Sequence, residues 1–395
     1  MNYDVVIIGG LGHVGLPLGL VWADAGLTIG ALDLDETKKN LVNAGTMPFL
    51  EHDAEPILKR VVGKKFFVLN HLSEIATAKA VVVTIGTPVD EYLAPQLLVI
   101  TRLADSLIPH LRSGQHIILR STVYPGTTDR LKRTLDELGK NIEIAFCPER
   151  IAEGHAMEEL QSLPQIISSY SPEGVRRCRE LFAPLTTDVV ELTPLEAELA
   201  KLFTNTWRYT LFAAANQFYM LANDHGADYY RIHHAMTYNY PRAKDIPKPG
   251  FAAGPCLFKD AMQLAAFNNN RFYLGHAAML VNEGLPNYLV DRLKRRYDLS
   301  ELDCGVLGMA FKANSDDNRE SLSYKLRKIL RFESKSVRCS DVYIREPDFV
   351  SVERLIAESD VILLGAPHRE YKSLEFPPGK IVVDIWNMWD HGCVL

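Results

Sequence analysis

Little in this sequence marks a secreted, membrane-bound or metal-stapled protein. Its six cysteines, Cys147, Cys178, Cys256, Cys304, Cys339 and Cys393, are scattered through 395 residues with no CxxC pair. That argues against a disulfide framework and reads as reduced thiols in a cytoplasmic protein. No charged-then-apolar leader precedes the first apolar run, so a secretory signal is not expected. The longest apolar stretch, Leu211 to Ala222, is short and broken by Asn216 and Gln217, so no membrane span is expected. Neither sign of charge dominates. The net charge is −6 with acidic and basic residues interspersed, which disfavours nucleic acid as a partner but allows a local basic pocket for phosphate. The histidines, His233-His234 included, lack metal-ligand spacing with cysteine or carboxylate partners, and no metal is predicted.

What is present is ordinary globular material, 47% hydrophobic and 23% charged, in a chain long enough for two or three domains. Asp4-Val5-Val6-Ile7-Ile8, Thr28 to Leu32, Ala80 to Thr84 and His116 to Leu119 are near-continuous apolar strands with helical pattern between them. Such alternation means a parallel sheet covered on both faces. Ile142 to Phe146 and Gln165 to Ile167 continue that region. From Pro194 the chain reads as helix for nearly a hundred residues, interrupted by an irregular stretch from Asn239 to Cys256. A second helical run, about Leu274 to Arg296, leads into Asp303-Cys304-Gly305-Val306-Leu307-Gly308, where strand and helix alternate again through Val361 to Leu364 and Ile381 to Asp384. The fold class is therefore α/β. Two doubly wound Rossmann-like domains, 1–192 and 299–395, are joined by a central helical domain, 193–298. The outward apolar faces of long central helices favour a homodimer; the alternative is that they only hold the two lobes together.

Gly10-Leu11-Gly12-His13-Val14-Gly15 directly follows the first strand and opens a helix. The first glycine permits the tight turn, the second lets backbone approach a pyrophosphate, and the third allows close helix–strand packing. The helix N-terminus then faces phosphate charge. Asp33 ends the second strand, where a carboxylate accepts from ribose hydroxyls and repels a 2′-phosphate, so NAD is expected rather than NADP.

A second stretch, Gly250-Phe251-Ala252-Ala253-Gly254-Pro255-Cys256-Leu257-Phe258-Lys259-Asp260, sets a cysteine after a flexible turn with a cation and a carboxylate close behind. A nearby lysine favours thiolate, and a carboxylate can orient water. Phe146-Cys147-Pro148-Glu149-Arg150 ends a strand of the first domain at the edge where such sheets bind ligands. Lys201 and Asn205, four apart, share a helix face, which by itself reads as a solvated one.

Together these segments resemble, in order and over almost the whole chain, the UDP-glucose/GDP-mannose dehydrogenase family. The likeness includes Gly10 to Pro17, Gly86-Thr87-Pro88, Ser121-Thr122-Val123 with Pro125-Gly126-Thr127, and Pro148-Glu149-Arg150 with Glu153-Gly154. It continues through Lys201-Leu202-Phe203-Thr204-Asn205, Cys256 to Asp260, and Ala310-Phe311-Lys312 with Asp316 to Ser321. The resemblance implies NAD-dependent, four-electron oxidation of a nucleotide sugar's C6 alcohol to a carboxylate. Cys256 would carry a thiohemiacetal and then a thioester, since a thiol adds readily to an aldehyde and its thioester is labile to water. Lys201 and Asn205 would stabilise the oxyanion at C6. Asp260 with Thr122 would position water, and Glu149 would serve as acid/base in hydrolysis. The cofactor would meet Gly10, Gly12, His13, Val14, Gly15, Asp33, Thr87, Thr122, Glu153 and Arg319. The sugar nucleotide would meet Glu149, Arg150, Lys201, Asn205, Arg242, Gly254 and Lys312, with Lys312 on the UDP phosphates. A polysaccharide pathway is the implied setting.

The chain departs from the family where two consecutive glycines are usual, having Ala253-Gly254-Pro255 before the cysteine. Alanine and proline restrict the backbone there. Pro148-Glu149-Arg150 and Val281 to Pro286 look like the UDP-N-acetylhexosamine branch (mannosamine or glucosamine), whereas Lys259-Asp260 looks more like the UDP-glucose branch. The first is favoured slightly. A two-electron hydroxyacid dehydrogenase would leave the last hundred residues unexplained. A non-catalytic nucleotide-sugar sensor would be expected to lose one of Cys256, Lys201, Asn205 or Asp260. Tyr324 and Lys328 mimic a YxxxK pair but fall in the second α/β domain, and Lys294-Arg295-Arg296 closes a helix where cations suit the dipole.

Overall fold

The computed structural model describes residues 1–87, 89–90, 96 and 98–390; Pro88 and Cys393 lie outside the described residues. The chain divides into two compact units, Met1–Thr204 and Asn205–Leu395, and the division falls within a single helix, Pro194–Asp224.

In the first unit, β1 (Tyr3–Ile8), β2 (Ile29–Leu32), β3 (Phe66–Leu69), β4 (Ala78–Val83), β5 (His116–Leu119) and β6 (Glu143–Phe146) form one parallel sheet in the order β3-β2-β1-β4-β5-β6. The strands are mainly apolar because successive side chains face opposite, covered sides; the exceptions Asp4, Lys79, His116 and Glu143 fall in the first two positions of their strands. Along β1, Val5 and Ile7 enter one core cluster while Val6 and Ile8 enter the other. The strand order reverses between β1 and β4, which opens a crevice at their carboxyl ends.

β7 (Gln165–Ser168) and β8 (Val189–Leu192) continue this region without joining the sheet; they pair with each other as a two-stranded parallel ladder. At the edge of β6 a single antiparallel bridge joins Ala145 to Ser169, and hydroxyls take neighbouring acceptors: Ser168 Oγ donates to the Phe146 carbonyl at 2.8 Å and Ser169 Oγ to that of Ile144 at 2.7 Å.

The second unit carries the rest of the long helix, then helices Tyr229–Thr237, Leu257–Phe267 and Tyr273–Lys294. β9 (Asp303–Leu307), β10 (Ser336–Ser340), β11 (Val361–Leu364) and β12 (Ile381–Val383) follow in a parallel sheet ordered β10-β9-β11-β12. The irregular stretch predicted before Cys256 has no regular element between Thr237 and Leu257. Its end is held by a buried amide network. Asn216 accepts from Gly250 N at 2.8 Å, donates back to Gly250 O at 3.0 Å, and donates to Asn282 Oδ1 at 2.9 Å. Asn282 in turn donates to the Tyr209 carbonyl at 3.0 Å. The asparagine that broke the apolar run in the sequence is thus the clamp on the cysteine loop. Among the described residues, no helix is long and apolar enough to cross a membrane.

Candidate active site

The first unit supplies a backbone-built cradle at the carboxyl edge of its sheet. The tight turn is made by Gly9, at φ +75°, rather than by Gly10 as the sequence suggested. Gly10 is required for a different reason: a Cβ there would lie 2.8 Å from that of Ala31 on β2. Gly15 opens the helix Gly15–Asp24 so close to β1 that a Cβ would meet the Gly9 carbonyl oxygen at 2.5 Å. At Gly12 a Cβ would meet only the Gly9 oxygen, at an ordinary 3.5 Å, so this glycine leaves its space open on the ligand side. Asp33 follows β2. One of its carboxylate oxygens accepts from Leu11 N at 3.1 Å, and the other accepts from Leu34 N and Asp35 N. A tight turn, an uncrowded glycine, a helix N-terminus and a fixed carboxylate fit a dinucleotide. His13 stacks on Phe49 with centroids 4.0 Å apart.

Next along the edge, Thr87 donates through Oγ1 to the Thr122 carbonyl at 2.5 Å, which ties the loop after β4 to the loop after β5. Arg120 and Ser121 both donate their amides to the Val83 carbonyl. Glu149, beyond β6, is nearly buried and anchored on both oxygens. Oε1 accepts from Arg150 N at 2.7 Å and Ile151 N at 3.0 Å, and Oε2 is paired with the buried Arg120 guanidinium. Arg120 also reaches Cys147 O, Gln165 Oε1 and the face of Phe182. Arg150 donates through Nη2 to the Pro164 carbonyl, which leaves further guanidinium N–H groups on the other nitrogens. The loop carrying Glu153 is fixed by Glu51, which accepts from Gly154 N at 2.9 Å and Ala156 N at 2.7 Å. Burial pushes the Glu51 carboxyl up, partly offset by these amides. Lys201 is half-buried on the long helix, one turn after Glu198. Glu198 caps the helix Thr127–Glu137 by accepting from Gly126 N at 2.6 Å and Thr128 N at 2.9 Å.

In the second unit, Cys256 is exposed and stands at the N-cap of the helix Leu257–Phe267, at the positive end of its dipole. One turn on, Asp260 is fully buried. Its Oδ2 accepts from Asn205 Nδ2 at 2.6 Å, and its Oδ1 lies 3.4 Å from Lys259 Nζ. Asn205, expected on a solvated face by spacing alone, is buried because it serves this carboxylate. Lys259, the cation next to the thiol in the sequence, is also ion-paired to Asp260. Gly254 has φ +100°, so glycine is needed there, while Ala253 is not among the positive-φ residues and fits without strain. Arg242 is exposed and packed over Tyr240, donating to its hydroxyl at 2.9 Å. Lys312 lies 5.6 Å over the Phe311 ring, and Arg319 is forked onto Asp317, its Nε 2.9 Å from Oδ2.

Gly9, Glu51 and Arg120 were not anticipated as site residues, and Asn216 was noted only as a break in an apolar run. Two of them carried a usable signal: Arg120, a charged residue directly after an apolar strand, and Asn216, a polar residue inside an apolar helix.

Models of the UDP-glucose/GDP-mannose dehydrogenase family match three segments: its NAD binding domain at 4–186, its central domain at 195–283 and its UDP binding domain at 305–391. The chain belongs to this family. It is a NAD-dependent nucleotide-sugar dehydrogenase. UDP-N-acetyl-D-mannosamine dehydrogenase of Pyrococcus horikoshii is 29% identical, over 97% of this chain and 95% of its own. A solved structure of UDP-D-ManNAc dehydrogenase from the same organism superposes with TM-score 0.91 at 28% identity, covering 99% of this chain and 97% of the other. An NDP-N-acetyl-D-galactosaminuronic acid dehydrogenase of Ralstonia solanacearum is 26% identical, over 98% and 97%.

Proposed function

We propose that this dehydrogenase oxidises the C6 alcohol of a UDP-N-acetylhexosamine to the uronic acid through a thioester on Cys256. The observation that carries the chemistry is an exposed thiol at a helix N-cap, one turn ahead of a fully buried carboxylate held by Asn205. The names of the similar enzymes support the N-acetylated sugar.

The glycine cradle would hold NAD, one molecule for each of two successive oxidations, and the bound cofactor would supply the hydride acceptor facing C6. Lys201 and Asn205 donate to the C6 oxygen as it gains negative charge. After the first oxidation, Cys256 adds to the aldehyde carbon, and its proton goes to the new hydroxyl of the thiohemiacetal. The second oxidation leaves the thioester. Asp260 and Thr122 orient a water onto that carbonyl, Glu149 assists the proton transfer, and hydrolysis returns the thiol and releases the carboxylate. Arg120 keeps Glu149 aimed. Lys312 meets the diphosphate, with Arg150, Gly254 and Arg242 around the sugar. Gly10, Gly12, His13, Val14, Gly15, Asp33, Thr87, Glu153 and Arg319 hold the cofactor. The domain boundaries in this reading are 192/193 and 298/299.

The working form is a cytoplasmic homodimer serving polysaccharide synthesis. Trp207, Phe218 and Leu221 lie on one face of the long helix at 63%, 43% and 50% exposure, and Leu280 on the helix Tyr273–Lys294 is 68% exposed. Such exposed apolar residues call for a covering partner. Sedimentation of wild type and Trp207→Glu tests this; a monomeric wild type contradicts it.

Turnover with UDP-N-acetylmannosamine, UDP-N-acetylglucosamine and UDP-glucose tests the substrate. A higher kcat/KM for either N-acetylated sugar supports the proposal, and a higher value for UDP-glucose overturns it.

A further inference from the structure

We propose that Asp341 and His368 form a positioning pair that sets the loop 309–319, and that this loop seats the turn before Cys256, so that nucleotide binding and thiol presentation share one piece of backbone. The inference rests on the reading that Lys312 meets the nucleotide and Cys256 the sugar.

Asp341 follows β10 and His368 follows β11. Both side chains are fully buried, with His368 Nε2 3.1 Å from Asp341 Oδ2. That oxygen also accepts from Met309 N at 2.5 Å and Ala310 N at 3.1 Å, the first amides of the loop. The other oxygen accepts from Tyr343 N at 2.7 Å and Ile344 N at 2.9 Å. A carboxylate with this many donors is a hub for backbone rather than an isolated charge. His368 extends its reach. Nδ1 accepts from Asn314 N at 2.9 Å, and Arg369 N donates to Asn314 Oδ1 at 2.9 Å. A backbone amide can only donate, so Nδ1 is the bare nitrogen and Nε2 carries the hydrogen that Asp341 accepts. The rings of Tyr343 and Tyr371 stand edge-on at 5.0 and 5.3 Å and fix the imidazole plane. Asn314 sits at φ +55°, a left-handed conformation that asparagine tolerates, and the bonds from its amide to His368 Nδ1 and from Arg369 N to its side chain hold it there.

The far side of the loop meets the nucleophile turn. A Cβ on Gly254 would lie 2.5 Å from Phe311 Cδ2, and Gly254 N donates to Glu320 O at 3.3 Å. Phe311 is also held by its own amide on the Asp317 carbonyl at 3.0 Å. Lys312 is therefore the neighbour of a ring that presses on the backbone two residues before Cys256. A shift of the loop moves both.

The test uses full-length enzyme and two variants that each keep one half of the imidazole. His368→Asn retains an acceptor near Nδ1; His368→Gln retains a donor near Nε2 but leaves Asn314 N without its acceptor. UDP affinity is measured by calorimetry, KM is measured for sugar nucleotide and NAD, and Cys256 alkylation by iodoacetamide is followed by mass spectrometry with and without UDP. His368→Gln is expected to weaken UDP and raise the sugar-nucleotide KM about tenfold, with the NAD KM unchanged. His368→Asn is expected to restore both most of the way. In wild type UDP is expected to change the Cys256 alkylation rate, and in His368→Gln it is not. A purely structural role would lower the melting temperature of both variants and leave UDP affinity and alkylation as in wild type, which would overturn the inference. Lys312→Ala separates the two readings. If it leaves UDP affinity intact, the nucleotide-site reading falls first. If it weakens UDP while His368→Gln does not, only the present inference falls.

Discussion

The dinucleotide turn and the thiol region are built on opposite principles. Around Gly9–Gly15 the working surface is backbone, and each glycine matters for the side chain it lacks. Around Cys256 the working surface is side chain held by side chain: Asp260 by Asn205, and the loop start by Asn216. A backbone site is broken by adding atoms, and a side-chain site by removing or neutralising them.

The largest separation between the two is expected from Asp260→Asn. On the proposed route it removes the carboxylate that would orient water while leaving the cradle untouched, so kcat is expected to fall by about 10²–10⁴ while NAD affinity holds. The first turnover still produces NADH, and the enzyme accumulates as the acylated thiol, visible as added mass on Cys256. Wild-type kcat in this variant would remove Asp260 from the hydrolytic step. Asn205→Ala leaves the buried carboxylate short of a donor, and a loss of about 1–3 kcal/mol of stability is expected by denaturant titration.

The cradle is sharpened by a pair of additions. Gly15→Ala drives a Cβ to 2.5 Å from the Gly9 carbonyl and 2.7 Å from Thr84 Oγ1, so about 1–3 kcal/mol of stability is lost along with NAD binding. Gly12→Ala meets nothing closer than 3.5 Å, so the melting temperature holds while NAD affinity drops at least about tenfold. Equal losses of stability in both variants would contradict the division of labour among these glycines.

The smallest effect contrasts two buried histidines. His368 is paired with Asp341, whereas His116 on β5 makes no ion pair among the described residues, and burial, then the charge of Arg177, push it down to about 4 against a weaker pull from Glu173. Between its ordinary value of 6.5 and that value the unfolded chain binds a proton that the folded chain refuses. Stability of the first unit therefore falls as pH drops through this window, by at most about 1.4 kcal/mol per pH unit. Denaturant midpoints from pH 7 to 4.5 check this. His116→Gln should flatten the slope, and an unchanged slope would assign it to other groups.

These contrasts also mark how far the residues could be read in advance. The sheet of the first unit was legible because β1, β4 and β5 carry uninterrupted apolar runs, Val5–Ile8, Ala80–Val83 and Ile117–Leu119, the pattern a doubly covered parallel strand needs. β3, β8 and β10 were not foreseen: Phe66–Leu69 and Val189–Leu192 are only four residues long, and Glu191 and Arg338 put charge inside β8 and β10. Cys256 and Asp260 stood out by local chemistry and Asn205 only by family likeness, yet the bond joining Asn205 to Asp260 crosses 55 positions and no local spacing encodes it. The same holds for Glu51 with Ala156 and for Arg120 with Glu149, which are 105 and 29 residues apart. Local chemistry announced the reacting groups, and only tertiary structure showed what holds them.

The central claim is a four-electron oxidation through one thiol, and NADH stoichiometry with limiting sugar nucleotide tests it most directly. Wild type is predicted to yield two NADH per sugar, and Cys256→Ala is predicted to lose that yield while still binding NAD. One NADH per sugar from wild type, or two from the alanine variant, would contradict the thioester route.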